Sequence, residues 1–150
     1  MVINRFDGDF EFLSNFFPSP IRFEGMVYPT VEHAFQAAKT MDMAKRREIA
    51  GLPTPGQAKR EGRKVTLRPD WEEVKVDVME TLLRAKFSNQ HLNFCLRMTD
   101  GHFLEEGNHW CDNFWGVCHC ERCGGNGRNQ LGKLLMKIRA EAIEEKRAEN

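Results

Sequence analysis

Thr30-Val31-Glu32-His33-Ala34-Phe35-Gln36-Ala37-Ala38-Lys39 is the stretch on which the fold turns. Val31, Ala34, Phe35 and Ala38 fall at i, i+3, i+4 and i+7, the spacing of an amphipathic helix running to about Lys39, with Thr30 as its natural N-cap. This stripe also fixes where the other side chains point, and it sets Glu32, Gln36 and Lys39 on one flank. On an arbitrary helix such a flank is a solvated face with ordinary charge spacing. Facing a cleft, Glu32 serves as general acid, general base or electrostatic partner. Lys39 then holds a phosphate or, once desolvated, becomes a nucleophilic amine. His33 reads as a packed or surface residue rather than a ligand.

Towards the N-terminus, Ile21-Arg22-Phe23 and Met26-Val27-Tyr28 flank Glu24-Gly25 as a short hairpin, and the first thirty residues read as strand and loop. In the other direction, Asp42 caps a second helix ending near Gly51. Thr54, with Pro55 at the first helical position, opens a third through Ala58 to Arg63. Asp70 caps a helix with the stripe Trp71, Val74, Val78, Leu82 and Ala85, and after Asn89 the run Leu92, Cys95, Leu96 gives another, stopped by Gly101. Leu131, Leu134, Leu135, Ile138 and Ala142 make the apolar face of the last helix. The expectation is an α+β fold: a single, mainly helical domain over 1–150, with a few short N-terminal and loop-flanking strands.

Composition bounds the function. A chain of 150 residues suits one domain, and 41% hydrophobic with 29% charged residues is the make-up of a folded protein. Lys plus Arg and Asp plus Glu each total 22, so the net charge is zero and no global field draws the chain to nucleic acid or an anionic membrane. No apolar run approaches the roughly 20 residues that span a bilayer. Met1-Val2-Ile3-Asn4-Arg5-Phe6 lacks the plan of a signal peptide. Four of five cysteines crowd between Cys111 and Cys123, which suits reduced thiols better than bridges, and the expected location is the cytoplasm, or a host cytoplasm if the source is viral.

Gly107 to Gly127 is too polar and irregular for an ordinary connector. Within it, Glu105-Glu106-Gly107-Asn108-His109-Trp110-Cys111-Asp112-Asn113-Phe114-Trp115-Gly116 interleaves carboxylates with aromatic planes. Trp110 and Trp115 either stack a flat heterocycle or anchor the loop in a core, and one of each is compatible with the pattern. Cys111, Cys118, Cys120 and Cys123, with His109 and His119 nearby, are zinc-ligand candidates, although Cys118 and Cys120 are spaced by one residue rather than two. The alternative is a loop of small thiols that pack locally. Gly124-Gly125-Asn126-Gly127-Arg128-Asn129-Gln130 leads into the last helix as either a weak phosphate site or a flexible turn ending in an N-cap.

These motifs together resemble the YbiA-like N-glycosidase family, also called NADAR for NAD- and ADP-ribose-associated. The resemblance is carried by Phe12-Leu13-Ser14-Asn15-Phe16-Phe17, Tyr28-Pro29 with the Thr30 to Lys39 stretch, Ala58-Lys59 with Gly62-Arg63, Arg68-x-Asp70-Trp71 and Ala85-Lys86-Phe87. It continues through Glu106-Gly107-Asn108, Trp110-x-Asp112-x-x-Trp115-Gly116 and Asn129-x-Leu131-Gly132-Lys133, in the family's order along nearly the whole chain. It implies hydrolysis of the bond between ribose C1′ and an exocyclic amine. The substrate is then either a ribosylaminopyrimidine phosphate of riboflavin biosynthesis or ADP-ribose on guanine in DNA or nucleotides.

The resemblance implies Glu32, Lys39 and Asp112 as catalytic residues, with Lys86 a second candidate for a Schiff-base amine. It implies Asn15, Gln36, Lys86, Gly107, Asn108, Trp110 and Trp115 as substrate-binding residues. It calls for no cofactor and no membrane, and leaves oligomeric state open. Position 111 carries Cys where the family frequently has Gly, and the loop at 118 to 123 is longer than the common pattern. Members without that loop are complete, so the cysteines read as structural or tuning elements, with a structural zinc as the one candidate metal. A non-catalytic module that binds ADP-ribose or nucleotide is the alternative to an enzyme, and a small zinc-bound nucleic-acid module is another.

Overall fold

The computed structural model describes residues 1–150. In chain order the elements are β1 (Val2–Ile3), a 3-10 helix (Gly8–Leu13), β2 (Ile21–Phe23), β3 (Met26–Tyr28), α1 (Val31–Ala38), α2 (Met43–Ala50), α3 (Pro55–Gly62), α4 (Trp71–Lys86), α5 (Gln90–Arg97), β4 (Phe103–Leu104), β5 (Gly107–Asn108), β6 (Val117–Cys118) and α6 (Gln130–Glu149). The α+β, mainly helical class is as expected. The chain divides into two compact units, Asn15–Lys86 and Met1–Ser14 with Phe87–Asn150. No helix is long and apolar enough to cross a membrane.

In the Asn15–Lys86 unit, β2 and β3 form the hairpin read from the sequence, antiparallel with Ile21 opposite Tyr28. Its turn places Glu24 and Gly25 at φ 47° and 81°, the left-handed pair that a tight two-residue connection requires. Thr30, Asp42 and Thr54 each cap a helix as their sequence positions predict. The Thr30 hydroxyl accepts the His33 N–H, the Asp42 carboxylate accepts those of Ala44 and Lys45, and Thr54 forms a reciprocal capping box with Gln57. α1 packs against α2, α3 and α4, with Phe35 tilted on Trp71 at 5.1 Å between ring centroids.

One expectation for α4 is corrected. The buried line runs through Trp71, Met79, Leu82, Leu83 and Lys86, whereas Val74, Val78 and Ala85 are only half-buried, so the packed face is turned from the expected stripe towards Met79, Leu83 and Lys86. Asp70, immediately before α4, accepts the N–H groups of Glu73 and Val74 at its backbone carbonyl, and its carboxylate accepts from Arg68 Nε and Nη2 at 2.6 and 3.1 Å.

In the other unit, β1 and β4 pair in parallel, Val2 opposite Phe103. α6 packs on β4 and α5, burying Leu131, Leu134, Leu135, Ile138 and Ala142 as their spacing predicts. Asn89 caps α5, and Gly101 turns the chain after it at φ 86°. The buried Arg139 donates to Thr99 O, Thr99 Oγ1 and His102 O, closing the end of α5 onto α6. The 3-10 helix lies in a region read as strand and loop.

His33 is buried in the Asn15–Lys86 unit. Its Nε2 lies 3.0 Å from Leu52 O, a partner that only accepts, so Nε2 carries the proton and Nδ1 accepts from the Thr30 hydroxyl at 2.8 Å. Burial lowers its pKa below the ordinary 6.5. Because the unfolded chain takes up this proton near 6.5 and the folded chain resists it, His33 contributes stability that is full above pH 6.5 and is lost as pH falls towards the folded-state value. Urea unfolding across pH 7 to about 5 should show a steeper loss in the native chain than in His33→Gln.

Candidate active site

α1 departs most usefully from expectation: the flank read as solvated or cleft-lining is buried along with the rest of the helix. A buried carboxylate must find hydrogen bonds or neutralise. Glu32, 7% exposed, accepts a hydrogen bond from Gln36 Nε2 at 2.9 Å, the i, i+4 contact that the sequence spacing allows. Its backbone N–H donates to Asn15 O at 3.1 Å, so Asn15, Glu32 and Gln36 form one local group. Of the four buried side-chain polar atoms without a hydrogen-bond partner, two belong to this group, Asn15 Oδ1 and Gln36 Oε1. Buried polar atoms are nearly always satisfied, so the orphaned oxygen of the Gln36 amide that holds the carboxylate, and that of Asn15, whose carbonyl is bonded to the Glu32 N–H, are open to a polar ligand or water.

Gln36 keeps its pose because position 62 is glycine. A Cβ there would lie 1.9 Å from Gln36 Oε1 and 2.7 Å from Cδ, so any larger residue on α3 would push the amide off Glu32.

Two lysines of this unit have depressed pKa values. Lys39, at the C-cap of α1, is half-buried with Nζ 5.8 Å from the Phe35 ring centroid. Burial lowers its pKa, while the Glu32 charge raises it. Lys86, at the end of α4, is 1% exposed with Nζ 5.6 Å from the Phe17 ring centroid. Desolvation brings its amine down to about 7. Lys86 belongs to the family pattern but not to the apolar stripe, although it stands at i+4 from the buried Leu82.

The 105–118 segment, in the other unit, is organised by Asn108, 1% exposed. Its Nδ2 donates to Glu106 Oε2 at 3.1 Å and to Asp112 O at 3.0 Å, and its Oδ1 accepts from the N–H groups of Trp110 and Asp112. Asp112 Oδ1 accepts from Phe114 N and Trp115 N at 3.2 and 2.9 Å. These bonds fold the aromatic loop, while β5 pairs in parallel with β6, Gly107 opposite Val117. Gly107 and Gly116 permit close approaches, since a Cβ would lie 2.2 Å from Asn4 O at the first and 1.8 Å from Glu106 Oε2 at the second.

The two tryptophans differ: Trp110 is 62% exposed and so is no core anchor, whereas Trp115 is half-buried with its ring edge-on to Phe114 at 4.8 Å. Asn129, the residue before α6, makes no side-chain cap. Its Nδ2 donates to Leu104 O and its Oδ1 accepts from Glu106 N, so the turn ahead of α6 is stapled to this loop rather than ending in a capping side chain. No local sequence signal marks this role of Asn129, because both of its partners lie more than twenty residues away.

Cys111, Cys118, Cys120 and Cys123 bring their sulfurs within 4.8 Å of one another, a set able to hold a metal ion. The structure does not add the histidines to it: His119 Nε2 meets Glu105 Oε2 at 3.0 Å, and the His109 ring lies 6.3 Å from that of His119.

The family model of the NADAR domain matches residues 4–142. The N-glycosidase YbiA of Escherichia coli (strain K12) is 40% identical over 144 residues, covering 93% of this chain and 84% of that one. A riboflavin biosynthesis protein of Vibrio vulnificus is 36% identical over 141 residues, 92% of this chain and 37% of its own length. The NMR structure of Escherichia coli YbiA superposes with a TM-score of 0.80 at 37% identity, covering 97% of this chain and 87% of that one.

The contact between Gly62 and Gln36 has a measurable consequence. Gly62→Ala should lower stability by about 1–3 kcal/mol through overpacking. In a double-mutant cycle with Gln36→Ala, the combined loss should fall short of the sum by about 1 kcal/mol in chemical denaturation.

Proposed function

This chain belongs to the NADAR family, and from that premise we propose that it is a hydrolase of N-glycosyl bonds, cleaving ribose C1′ from an exocyclic amine. The observation that carries the reading to particular residues is the buried Glu32 carboxylate, held by a Gln36 amide whose own oxygen has no partner, with a second unpartnered oxygen on Asn15, the residue whose carbonyl accepts the Glu32 N–H. Cleavage builds positive charge at C1′, and a carboxylate taken out of bulk water stabilises that charge far better than one in solvent. Glu32 therefore takes the electrostatic and proton-transfer role, and the orphaned acceptors take sugar hydroxyls. The substrate is the chemical unit shared by a ribosylaminopyrimidine phosphate and ADP-ribosylated guanine: an amine on a 2-aminopyrimidin-4-one ring, joined to a ribose bearing a 5′-phosphate. The riboflavin biosynthesis relative supports the pyrimidine arm.

An amine near pKa 7 is about half neutral at pH 7 and able to act as a nucleophile. In the route this supports, the glycosylamine ring opens to an imine and neutral Lys86 adds at C1′. The exocyclic amine leaves with a proton, and water then hydrolyses the lysine Schiff base to free the sugar. Lys39, whose amine Glu32 favours in the charged form, is suited to the substrate phosphate. Asp112, with one carboxylate oxygen engaged by two backbone N–H groups, acts as a positioning residue for Trp115, while the exposed Trp110 is suited to stacking on a base. Gly107 and Asn108 set the backbone of that loop.

The test is to incubate the protein separately with ADP-ribosylated guanine DNA and with the ribosylaminopyrimidine phosphate, following sugar release by mass spectrometry. Release is expected, with Glu32→Gln losing turnover by roughly 10²–10⁴-fold while folding and binding persist. Absence of release from both substrates, with ADP-ribose still bound, would make the protein a binding module instead. Because Lys86 must be neutral to attack, turnover should rise with pH through about 7. Borohydride should trap a sugar adduct that Lys86→Met does not form.

A further inference from the structure

We propose that Cys111, Cys118, Cys120 and Cys123 form a structural zinc site that fastens the aromatic loop to the turn after β6. This site stands apart from the glycosidase reading and does not depend on it. Four thiols from two separate segments converge, although nothing in a reduced, locally packed loop requires them to meet. Their spacing fits the ion: a tetrahedral zinc with Zn–S bonds of about 2.3 Å sets its sulfurs about 3.8 Å apart. Cys111 Sγ and Cys120 Sγ are 3.7 Å apart, and no pair in the set exceeds 4.8 Å. The same 3.7 Å separation is too long for a disulfide, whose sulfurs are bonded at about 2.05 Å.

The surroundings are those that thiolate ligands need. The Cys111 backbone N–H donates to Cys118 Sγ at 3.2 Å, and Asn113 Nδ2 donates to Cys123 Sγ at 3.5 Å, supplying outer hydrogen bonds to two of the four sulfurs. Cys118 is fully buried. The chain after Cys123 doubles back through Gly124 and Gly125, at φ 61° and 86°. There Gly124 N donates to Cys120 O, Gly125 N to Cys118 O and Asn126 N to Cys123 O, so the 118–123 ligands sit on a closed knuckle. Cys111 itself adopts φ 65°, a left-handed conformation disfavoured for a residue with a Cβ, and this turns its thiol towards the knuckle.

Four sulfurs and no oxygen select a soft tetrahedral ion over magnesium or calcium, and zinc brings no redox chemistry that the loop would have to manage. Binding displaces the thiol protons and yields four Zn–S bonds. The ion's task is to hold Cys111, and with it the neighbouring Trp110 and Asp112, against the 118–123 turn.

The decisive experiment is to purify the protein under a phosphine reductant and measure metal by plasma mass spectrometry, then exchange the metal for cobalt(II) and record its absorption. Stoichiometric zinc is expected, together with the intense visible bands and sulfur-to-metal charge transfer of a tetrahedral four-thiolate cobalt centre. Cys120→Ser and Cys123→Ser should each lower retained zinc at least tenfold, while Cys95→Ser, outside the cluster, should keep it. The proposal is overturned if the reduced, folded protein carries no zinc or carries iron instead. It also fails if cobalt gives only weak octahedral bands, or if Cys120→Ser retains zinc in full. The cobalt spectrum is read on the native chain and so decides the matter even where a variant fails to fold.

Discussion

The burial of α1 on every side is the constraint from which the Asn15–Lys86 unit follows. A helix that shows no face to solvent must find partners inside the protein for each polar side chain it carries, and this one carries Glu32, His33 and Gln36. His33 is answered by Thr30 and Leu52, and Glu32 by Gln36. The tight approach of α3, possible because Gly62 lacks a side chain, holds Gln36 in place. Two acceptors are left without donors. On the proposed reading it is the hydroxyls of the substrate sugar that would complete them.

A different logic governs the 104–129 region, which has almost no regular structure to hold it. Two asparagines do the organising, Asn108 from within the loop and Asn129 from the foot of α6, each using both ends of its amide. Glycines then let backbone and carboxylate approach closer than any Cβ would permit. The outcome is a loop fixed by directional bonds rather than by burial, which is how an indole at position 110 can be exposed in a well-defined setting.

What the sequence revealed followed from how local each signal was. Caps at Thr30, Asp42, Thr54 and Asn89, the hairpin turn at Glu24-Gly25 and the apolar face of α6 all depend on neighbours within a few residues, and each is found where the pattern put it. The strands β5 and β6, two residues each and parallel, have no periodicity to read, and the 3-10 helix falls among phenylalanines that also suit a strand. Glu32 was legible as a candidate by type and spacing. Its enclosure and the orphaned oxygen of its Gln36 partner were not, because they depend on α3 and the Asn15 segment, both distant in sequence. Lys86 could be named from the family pattern, but its lowered amine pKa depends on the burial that packing around the end of α4 imposes. For the cysteines, number and crowding were visible, whereas convergence depended on a left-handed residue at 111.

That left-handed residue has a consequence at the level of the gene. Position 111 is where the backbone favours glycine and the thiol cluster favours cysteine, and these two amino acids have codons that differ in a single base. One nucleotide therefore separates a loop whose turn is relaxed from one whose turn is tense but anchored at a fourth sulfur. Selection for retaining the loop in a metal-poor or oxidising setting would have a short path to take, and position 111 is where it would begin.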